Sequence, residues 1–198
     1  MRSRCDAFLC SCAQDTFRFA LATATLLRLA ADDALNLTVI RTPFAALNPA
    51  DQSQVVTVNT NSAAFQYSRR LQADIFAKTD PYIIADDDCL PLQDDFCERG
   101  LEIMGRHAEF AILGLRPITS TLHPWTPENY VPYVDDEVEE HVSVGNIYFI
   151  RQNLKVPISD SNRYDRIMAD SIRESGKRVG FFKHLTLNHL GHNFSTLS

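Results

Sequence analysis

Three consecutive aspartates constrain this chain more than any other feature. Asp86, Asp87 and Asp88 directly follow the apolar run at residues 82–85. Adjacent carboxylates repel one another, so a fold keeps them at the end of a buried strand only where a cation offsets their charge. A divalent metal ion is the leading candidate for that cation. The alternative is a solvated acidic turn that caps the helix region near Asp94.

The length and charge of the chain narrow its class. With 198 residues, 45% of them hydrophobic, it can bury one sizeable core, so we expect a single domain over residues 1–198. A net charge of −6 disfavours binding to nucleic acid or anionic membranes through bulk charge. No apolar run approaches the roughly 18 residues of a membrane-spanning helix, so we expect a cytoplasmic protein, in the host cytoplasm if a phage encodes it. Five cysteines without paired CxxC spacing indicate buried thiols.

Hydrophobic periodicity predicts strands that alternate with helices, which favours an α/β fold with a mostly parallel sheet covered on both faces. Ligands of such sheets bind beyond the carboxyl ends of the strands, where the aspartate triplet falls. The predicted strands cover residues 5–12, 35–41, 55–58, 82–85, 110–115, 142–151 and 179–182, and the predicted helices cover residues 16–27, 62–78, 96–104 and 162–175.

A long segment at residues 116–140 interrupts this alternation. Its prolines break regular structure and its aromatic residues offer flat surface, so we interpret it as a functional loop. We expect the acidic residues at its end, 135–140, to form a solvated face rather than a second metal site. The glycines are too scattered for a phosphate-binding loop, and no GxSxG motif indicates covalent catalysis. Carboxylates, histidines and a bound metal ion are therefore the groups that remain as candidates for the chemistry of this protein.

The run YIIADDDCLP resembles the DXD segment of GT-A nucleotide-sugar glycosyltransferases, particularly the family 2-like inverting enzymes and their small phage or bacterial relatives. The order of elements is similar too: an arginine-bearing helix precedes the DXD strand, and a glycine-containing strand, a helix with an early acid and a histidine follow it. The resemblance implies a GT-A, Rossmann-like fold. Residues 1–115 would form the nucleotide-sugar-binding half, and residues 116–198 the acceptor and catalytic half with a small C-terminal acceptor-side region.

The same resemblance implies transfer of a sugar from a nucleotide-sugar donor, with a UDP-sugar favoured, to a hydroxyl acceptor. Asp86 would face the ribose or the metal, Asp87 would assist by hydrogen bonding, and Asp88 would coordinate the Mn²⁺ or Mg²⁺ that bridges the diphosphate. His189 resembles the C-terminal histidine that completes the metal shell in this family, with His192 as its rival.

Asp165 is similar in position to the catalytic base of the family, which takes a proton from the acceptor hydroxyl during inverting transfer. The chain departs from the family pattern at Tyr164, where a second acid often stands. An acid that simply favours the helix dipole is the alternative explanation of Asp165, and Asp160 or Asp170 are alternative bases.

Four further positions complete the predicted site. Arg69 and Arg70 are candidates for pairing with the nucleotide base or diphosphate, with exposed helix arginines as the alternative. Ser11 lies in the stretch where GT-A folds contact the nucleotide. Trp125 and Gly145 are placed on the acceptor side, where Trp125 stacks on a sugar or base unless it serves packing.

Two other functions stay open from the sequence. The missing second acid beside Asp165 favours a catalytically inactive module that keeps the fold and a nucleotide. The same acids also suit a nucleotidyltransferase, which releases pyrophosphate instead of nucleoside diphosphate. The acceptor is a glycan, a lipid, a protein or a modified DNA base.

Overall fold

The computed structural model describes residues 4–11, 16–43, 45, 47, 55–58, 62–118, 130–157 and 164–190. Strands and helices alternate through the first two thirds of the chain, as the periodicity predicts. The strands are β1 (Cys5–Ser11), β2 (Leu35–Arg41), β3 (Val55–Thr57), β4 (Tyr82–Asp86), β5 (Cys89–Pro91), β6 (Phe110–Pro117), β7 (Val138–Glu140), β8 (Ile147–Ile150) and β9 (Arg178–His189). The helices are α1 (Thr16–Ala30), α2 (Ser62–Phe76), α3 (Phe96–Arg106) and α4 (Tyr164–Glu174).

A single nine-stranded sheet joins these strands in the order β3-β2-β1-β4-β8-β6-β9-β5, and β7 pairs with β9. Parallel ladders join β3, β2, β1 and β4 in the first half and β6 with β9 in the second. Antiparallel ladders join β8 to β4 and β6, and β9 to β5 and β7. Most paired residues belong to the parallel ladders, which confirms the predicted mostly parallel α/β sheet.

Helices cover both faces of the sheet, and this explains why β1 is buried along its whole length. Ala7 and Leu9 of β1 pack in one hydrophobic cluster with residues of α1 and α3. Phe8 and Cys10 face the other cluster, which contains residues of α2 and α4. The free cysteines at 5, 10, 89 and 97 are buried, as expected, and Cys12 lies outside the described residues.

The second half of the chain departs from the prediction. Strand β9 is longer than residues 179–182 because, after a register shift, it pairs again with β6 at Thr186 and Leu187 and also pairs with β5 at residues 187–189. The prediction that residues 135–140 form a solvated face is wrong for Glu140, which lies in β7 with 9% of its surface exposed. A carboxylate oxygen of Glu140 pairs with the guanidinium of Arg178 at 2.5 Å, and this ion pair allows its burial.

None of the helices in the described part of the chain has the length and hydrophobicity needed to cross a membrane.

Candidate active site

Asp87 is held at the carboxyl edge of the sheet by its neighbours on β1 and α1. Register places Cys10 of β1 beside Asp86, so Ser11 reaches just past the end of β4. The Ser11 hydroxyl donates to Asp87 Oδ2 over 2.6 Å, and the Thr25 hydroxyl donates to the Asp87 carbonyl over 3.2 Å. Burial raises the pKa of Asp87 to about 6; the Ser11 hydrogen bond opposes this rise, and the charges of Asp86 and Asp88 add to it.

Asp88 and His189 meet although 101 residues separate them in the sequence. The antiparallel ladder between β5 and β9 sets Cys89 opposite His189, and the Leu190 N–H donates to the Asp88 carbonyl over 2.8 Å. As a result, His189 Nε2 lies 3.2 Å from Asp88 Oδ2. The structure therefore brings together two of the three residues that the sequence predicts as metal ligands, and the third, Asp86, is paired with Arg69.

The two partners shift each other's pKa in opposite directions. Burial alone would raise the pKa of Asp88, but the hydrogen bond from His189 holds it below its usual range. Burial alone would lower the pKa of His189, but the neighbouring Asp88 carboxylate raises it. Asp88 therefore stays ionised down to a lower pH, and His189 stays protonated up to a higher pH, than each would without the other.

A metal ion fits this corner of the site chemically. One donor atom each from Asp88, Cys89 and His189 lies within 4.8 Å of the others. Burial raises the pKa of the Cys89 thiol well above its usual value, so it stays protonated and is a poor ligand. The Cys89 thiol instead lies 3.4 Å from Asp88 Oδ1 as a weak donor. A carboxylate and a neutral imidazole remain, which suit Mn²⁺ or Mg²⁺ provided that His189 releases its proton.

Asp86 has an arginine as its counter-ion. Arg69 projects from α2, is 4% exposed, and forms an ion pair with the Asp86 carboxylate. Burial would lower the pKa of Arg69, but the charge of Asp86 outweighs this and raises it, so the guanidinium stays charged. The cation that the triplet requires is therefore supplied in part by the protein. The sequence prediction of Arg69 as a nucleotide ligand did not include this contact.

Asp165 lies beside Gly145, at the start of α4. A Cβ atom at Gly145 would lie 3.2 Å from Asp165 Oδ2, so glycine leaves room for the carboxylate. Asp165 Oδ1 is buried and has no hydrogen-bond partner among the described residues. Burial raises the pKa of Asp165 to about 6; Arg69 opposes this rise and Asp86 adds to it.

Asn146 connects the turn before β8 to Asp86. It is not among the site residues that the sequence predicts. It has a left-handed backbone with φ 70°, and its carbonyl accepts the Asp86 N–H over 2.8 Å. Asparagine is among the residues that tolerate this conformation best, and the Gly-Asn pair before β8 was the available signal. The turn at 145–146 thereby holds Asp86 while it leaves space for Asp165.

Arg70 makes its described contacts away from the triplet. Its Nη1 lies 2.5 Å from Asp74 Oδ1, and its guanidinium lies 5.4 Å from the centre of the Tyr82 ring. Its role in nucleotide binding stays a prediction. Asp170, a rival for the catalytic base, pairs with Arg166 and Arg173 on α4. The predictions for Trp125, His192 and Asp160 fall outside the described residues.

A comparison with protein-family models gives no match, and a comparison with curated proteins gives none either. Solved structures do match. The chain is similar to S. aureus TarS 1-349, with 12% identity and a TM-score of 0.56 over 93% of this chain and 59% of that one. The complex of that fragment with UDP-GlcNAc has a TM-score of 0.58 at 12% identity over 95% and 60%.

The inositol-1-phosphate CTP transferase from T. maritima is similar to a comparable degree, with a TM-score of 0.58 and 11% identity over 96% of this chain and 89% of that one. The chain thus spans about three fifths of the TarS fragment and most of the CTP transferase. At such identities the likeness concerns the fold, and it confirms the predicted Rossmann-like, GT-A-type α/β architecture.

Proposed function

We propose that this protein is a metal-dependent, inverting glycosyltransferase that moves a sugar from a nucleotide-sugar donor to a hydroxyl acceptor. The observation that carries the proposal is the 3.2 Å approach of His189 Nε2 to Asp88 Oδ2 at the carboxyl end of β4. Asp165, on α4, is the third component of the proposed site. The TarS fragment, which has the same fold, is described in complex with UDP-GlcNAc, which supports a UDP-sugar as the donor.

On the donor side, Asp88 and His189 would hold Mn²⁺ or Mg²⁺, which offsets the negative charge that builds up on the departing nucleoside diphosphate. Ser11 fixes Asp87 through its 2.6 Å hydrogen bond, and Arg69 fixes Asp86 through their ion pair. These two contacts orient the acidic turn before a donor arrives, so less ordering is required when the donor binds.

On the acceptor side, Asp165 is the proposed general base. With a pKa of about 6 it is mostly ionised at neutral pH while it remains basic enough to accept a proton. The acceptor oxygen forms a bond to the anomeric carbon, the bond from that carbon to the diphosphate oxygen breaks, and the hydroxyl proton passes to Asp165. Attack from the face opposite the leaving group inverts the configuration. Gly145 leaves room for the Asp165 carboxylate, and the acceptor would approach the base from this side.

A nucleotidyltransferase is the second candidate, because the T. maritima CTP transferase matches this chain over 89% of its own length. The two reactions differ in the bond that breaks. A glycosyltransferase cleaves the bond between sugar and diphosphate and releases nucleoside diphosphate, whereas a nucleotidyltransferase cleaves within a triphosphate and releases pyrophosphate.

The test is a panel of UDP-, GDP- and CMP-sugars together with CTP, each with Mn²⁺, with Mg²⁺ and with a chelator. Thermal shift reports binding, and separate assays for nucleoside diphosphate and pyrophosphate report turnover. We expect a UDP-sugar to raise the melting temperature and to release UDP only when metal is present. If pyrophosphate forms instead, the second candidate replaces the first. If no nucleotide binds with metal present, both are wrong.

Variants assign the roles. Asp88→Ala is expected to abolish metal-dependent donor binding, whereas Asp33→Ala, at an exposed turn between α1 and β2, should leave it unchanged. Asp165→Asn is expected to keep donor binding and to lose transfer by about 10²-fold or more. Transfer that survives in Asp165→Asn would show that another residue is the base. Donor binding without transfer in the unmodified protein would identify a catalytically inactive relative.

A further inference from the structure

A cavity lies between α2, α4 and the segment 154–157 that follows β8. Its volume is about 460 Å³, within the range of roughly 300–1,000 Å³ that small-molecule pockets occupy. The residues that line it do not include the aspartate triplet, Arg69, Asp165 or His189, within the described part of the chain. The cavity is therefore separate from the candidate active site, although both are built on α2 and α4.

The polar lining of this cavity carries an excess of positive charge. Among the described residues that line it, Arg70 and Lys155 are the cations and Asp74 is the carboxylate, in a protein whose net charge is −6. Asp74 Oδ1 is already shared, since it pairs with Arg70 Nη1 at 2.5 Å and accepts the Tyr82 hydroxyl at 2.7 Å. A local excess of cations that opposes the net charge of the whole protein favours an anionic ligand.

Arg70 has unused hydrogen-bonding capacity. Its side chain is 3% exposed, and its Nε and Nη2 have no hydrogen-bond partner among the described residues. A guanidinium carries five N–H donors, and leaving buried donors unpaired costs about 1–3 kcal/mol per group. Two adjacent donors in a fixed plane match the two oxygens of a phosphate or a carboxylate.

Most of the remaining wall of the cavity is apolar, and Tyr164 and Ser171 of α4 complete it. Leu154, Val156 and Pro157 come from the segment after β8, and Leu71 comes from α2. Leu71 is 42% exposed, and Ile75, one turn further along α2, is 63% exposed, so apolar surface continues outward from the cavity. An inorganic anion would leave the apolar wall exposed to water. A neutral apolar molecule would leave the positive charges of the lining without an anionic partner. Only a ligand with both parts satisfies the whole lining.

We propose that this cavity is a binding site for an amphiphilic anion, in which a phosphate ester or carboxylate is carried on an apolar body. The acid group contacts Lys155 and, once a small movement of the side chain uncovers Nε and Nη2, Arg70. The apolar body lies against Leu71, Leu154 and Val156. The site is additional to the proposed transferase centre, and its existence does not depend on that activity.

The full chain is tested by calorimetry and thermal shift with four probes: n-hexyl phosphate, hexanoate, hexanol and inorganic phosphate. We expect at least one of the two amphiphilic acids to bind about tenfold more tightly than either hexanol or inorganic phosphate, because each of those lacks one half of the contacts. If neither acid binds more tightly than these two controls, the proposal is overturned.

Variants at the exposed Lys155 and at the half-buried Val156 locate the bound probe. Lys155→Glu reverses a charge at the cavity, and Val156→Trp fills its apolar side, so each should weaken binding by about fivefold or more. Lys177→Glu is the matched control, since Lys177 is an exposed lysine whose ammonium donates to the Ala108 carbonyl, and it should bind as the unmodified protein does. Equal binding by all three variants would place the probe elsewhere and overturn the proposal.

Discussion

Replacement of Asp165 by asparagine should make the protein more stable at neutral pH while it removes the proposed base. The carboxyl group lies partly buried at the start of α4, and its Oδ1 has no hydrogen-bond partner among the described residues. Burial and the neighbouring Asp86 outweigh the attraction of Arg69 and raise the pKa of Asp165 from 3.8 to about 6. The folded state therefore holds the proton of Asp165 more tightly than the unfolded state does.

The magnitude follows from proton linkage. A group whose pKa is higher in the folded state adds stability that is fully present below the unfolded value and is lost as pH rises through the folded value. For Asp165 the loss spans the interval from pH 3.8 to about 6. At 1.36 kcal/mol per pKa unit, the ionised group costs up to about 3 kcal/mol at pH 7.5. Because the carboxyl group keeps some contact with solvent, we expect Asp165→Asn to gain about 1–3 kcal/mol.

The assay is urea unfolding of both proteins in the presence of a chelator, at pH 7.5 and at pH 4.5. We expect the advantage of the variant to shrink to about 1 kcal/mol or less at pH 4.5, where Asp165 is protonated in the folded state. Asp170→Asn is the control on the same helix. It removes two solvent-exposed ion pairs, with Arg166 and Arg173, and should lower stability by less than about 1 kcal/mol at either pH.

The reasoning fails if Asp165→Asn is less stable than the unmodified protein at pH 7.5. It also fails if the difference between the two proteins is the same at both pH values, because that difference would then not come from ionisation. A gain in stability at pH 7.5 together with a loss of transfer in Asp165→Asn would show that Asp165 lowers the stability of the protein while it supports its activity.

Three further predictions concern two glycines and the acidic turn. Gly180→Ala would place a Cβ 2.1 Å from the Glu139 carbonyl oxygen, so β7 must shift, and thermal unfolding should report a loss of about 2–3 kcal/mol or more. Gly105→Ala on α3 meets nothing within 4 Å and should gain about 0.5–1 kcal/mol in the same measurement. Ser11→Ala removes the 2.6 Å hydrogen bond to Asp87 and should lower stability at pH 8 by about 1.5–3 kcal/mol. The loss should be smaller at pH 5, where Asp87 with its pKa of about 6 is protonated.

The sequence was a sufficient guide wherever the signal is local. The apolar run before Asp86 and the periodicity of the first helices place the triplet at the carboxyl end of β4, as the structure has it. By contrast, strand β5 is only three residues long and ends in Pro91, a residue that lacks a donor and is confined to sheet edges. Its position at the end of the strand order fits that rule, but nothing local predicts a strand there.

The two arginines show a second limit of sequence reasoning. Arg69 and Arg70 are adjacent, and neighbouring residues on a helix point about 100° apart, so at most one can face a given site. The composition of α2 does not decide which of them does. The rotation of the packed helix sends Arg69 to Asp86 and Arg70 to Asp74, and that rotation depends on contacts with the whole sheet.

Charge balance at the carboxyl edge supports the metal proposal independently of any motif. Four carboxyl groups gather there, and the protein supplies two counter-ions, Arg69 for Asp86 and His189 for Asp88. The other two, Asp87 and Asp165, each have a pKa raised to about 6, chiefly because they are buried, and the charge of Asp86 adds to the rise in both. Binding through His189 requires the neutral imidazole, so a divalent cation would replace the charge of the imidazolium and add a second positive charge at this edge. The metal is therefore part of the proposed function, and it is supported by four carboxyl groups that have only Arg69 and His189 as counter-ions among the described residues.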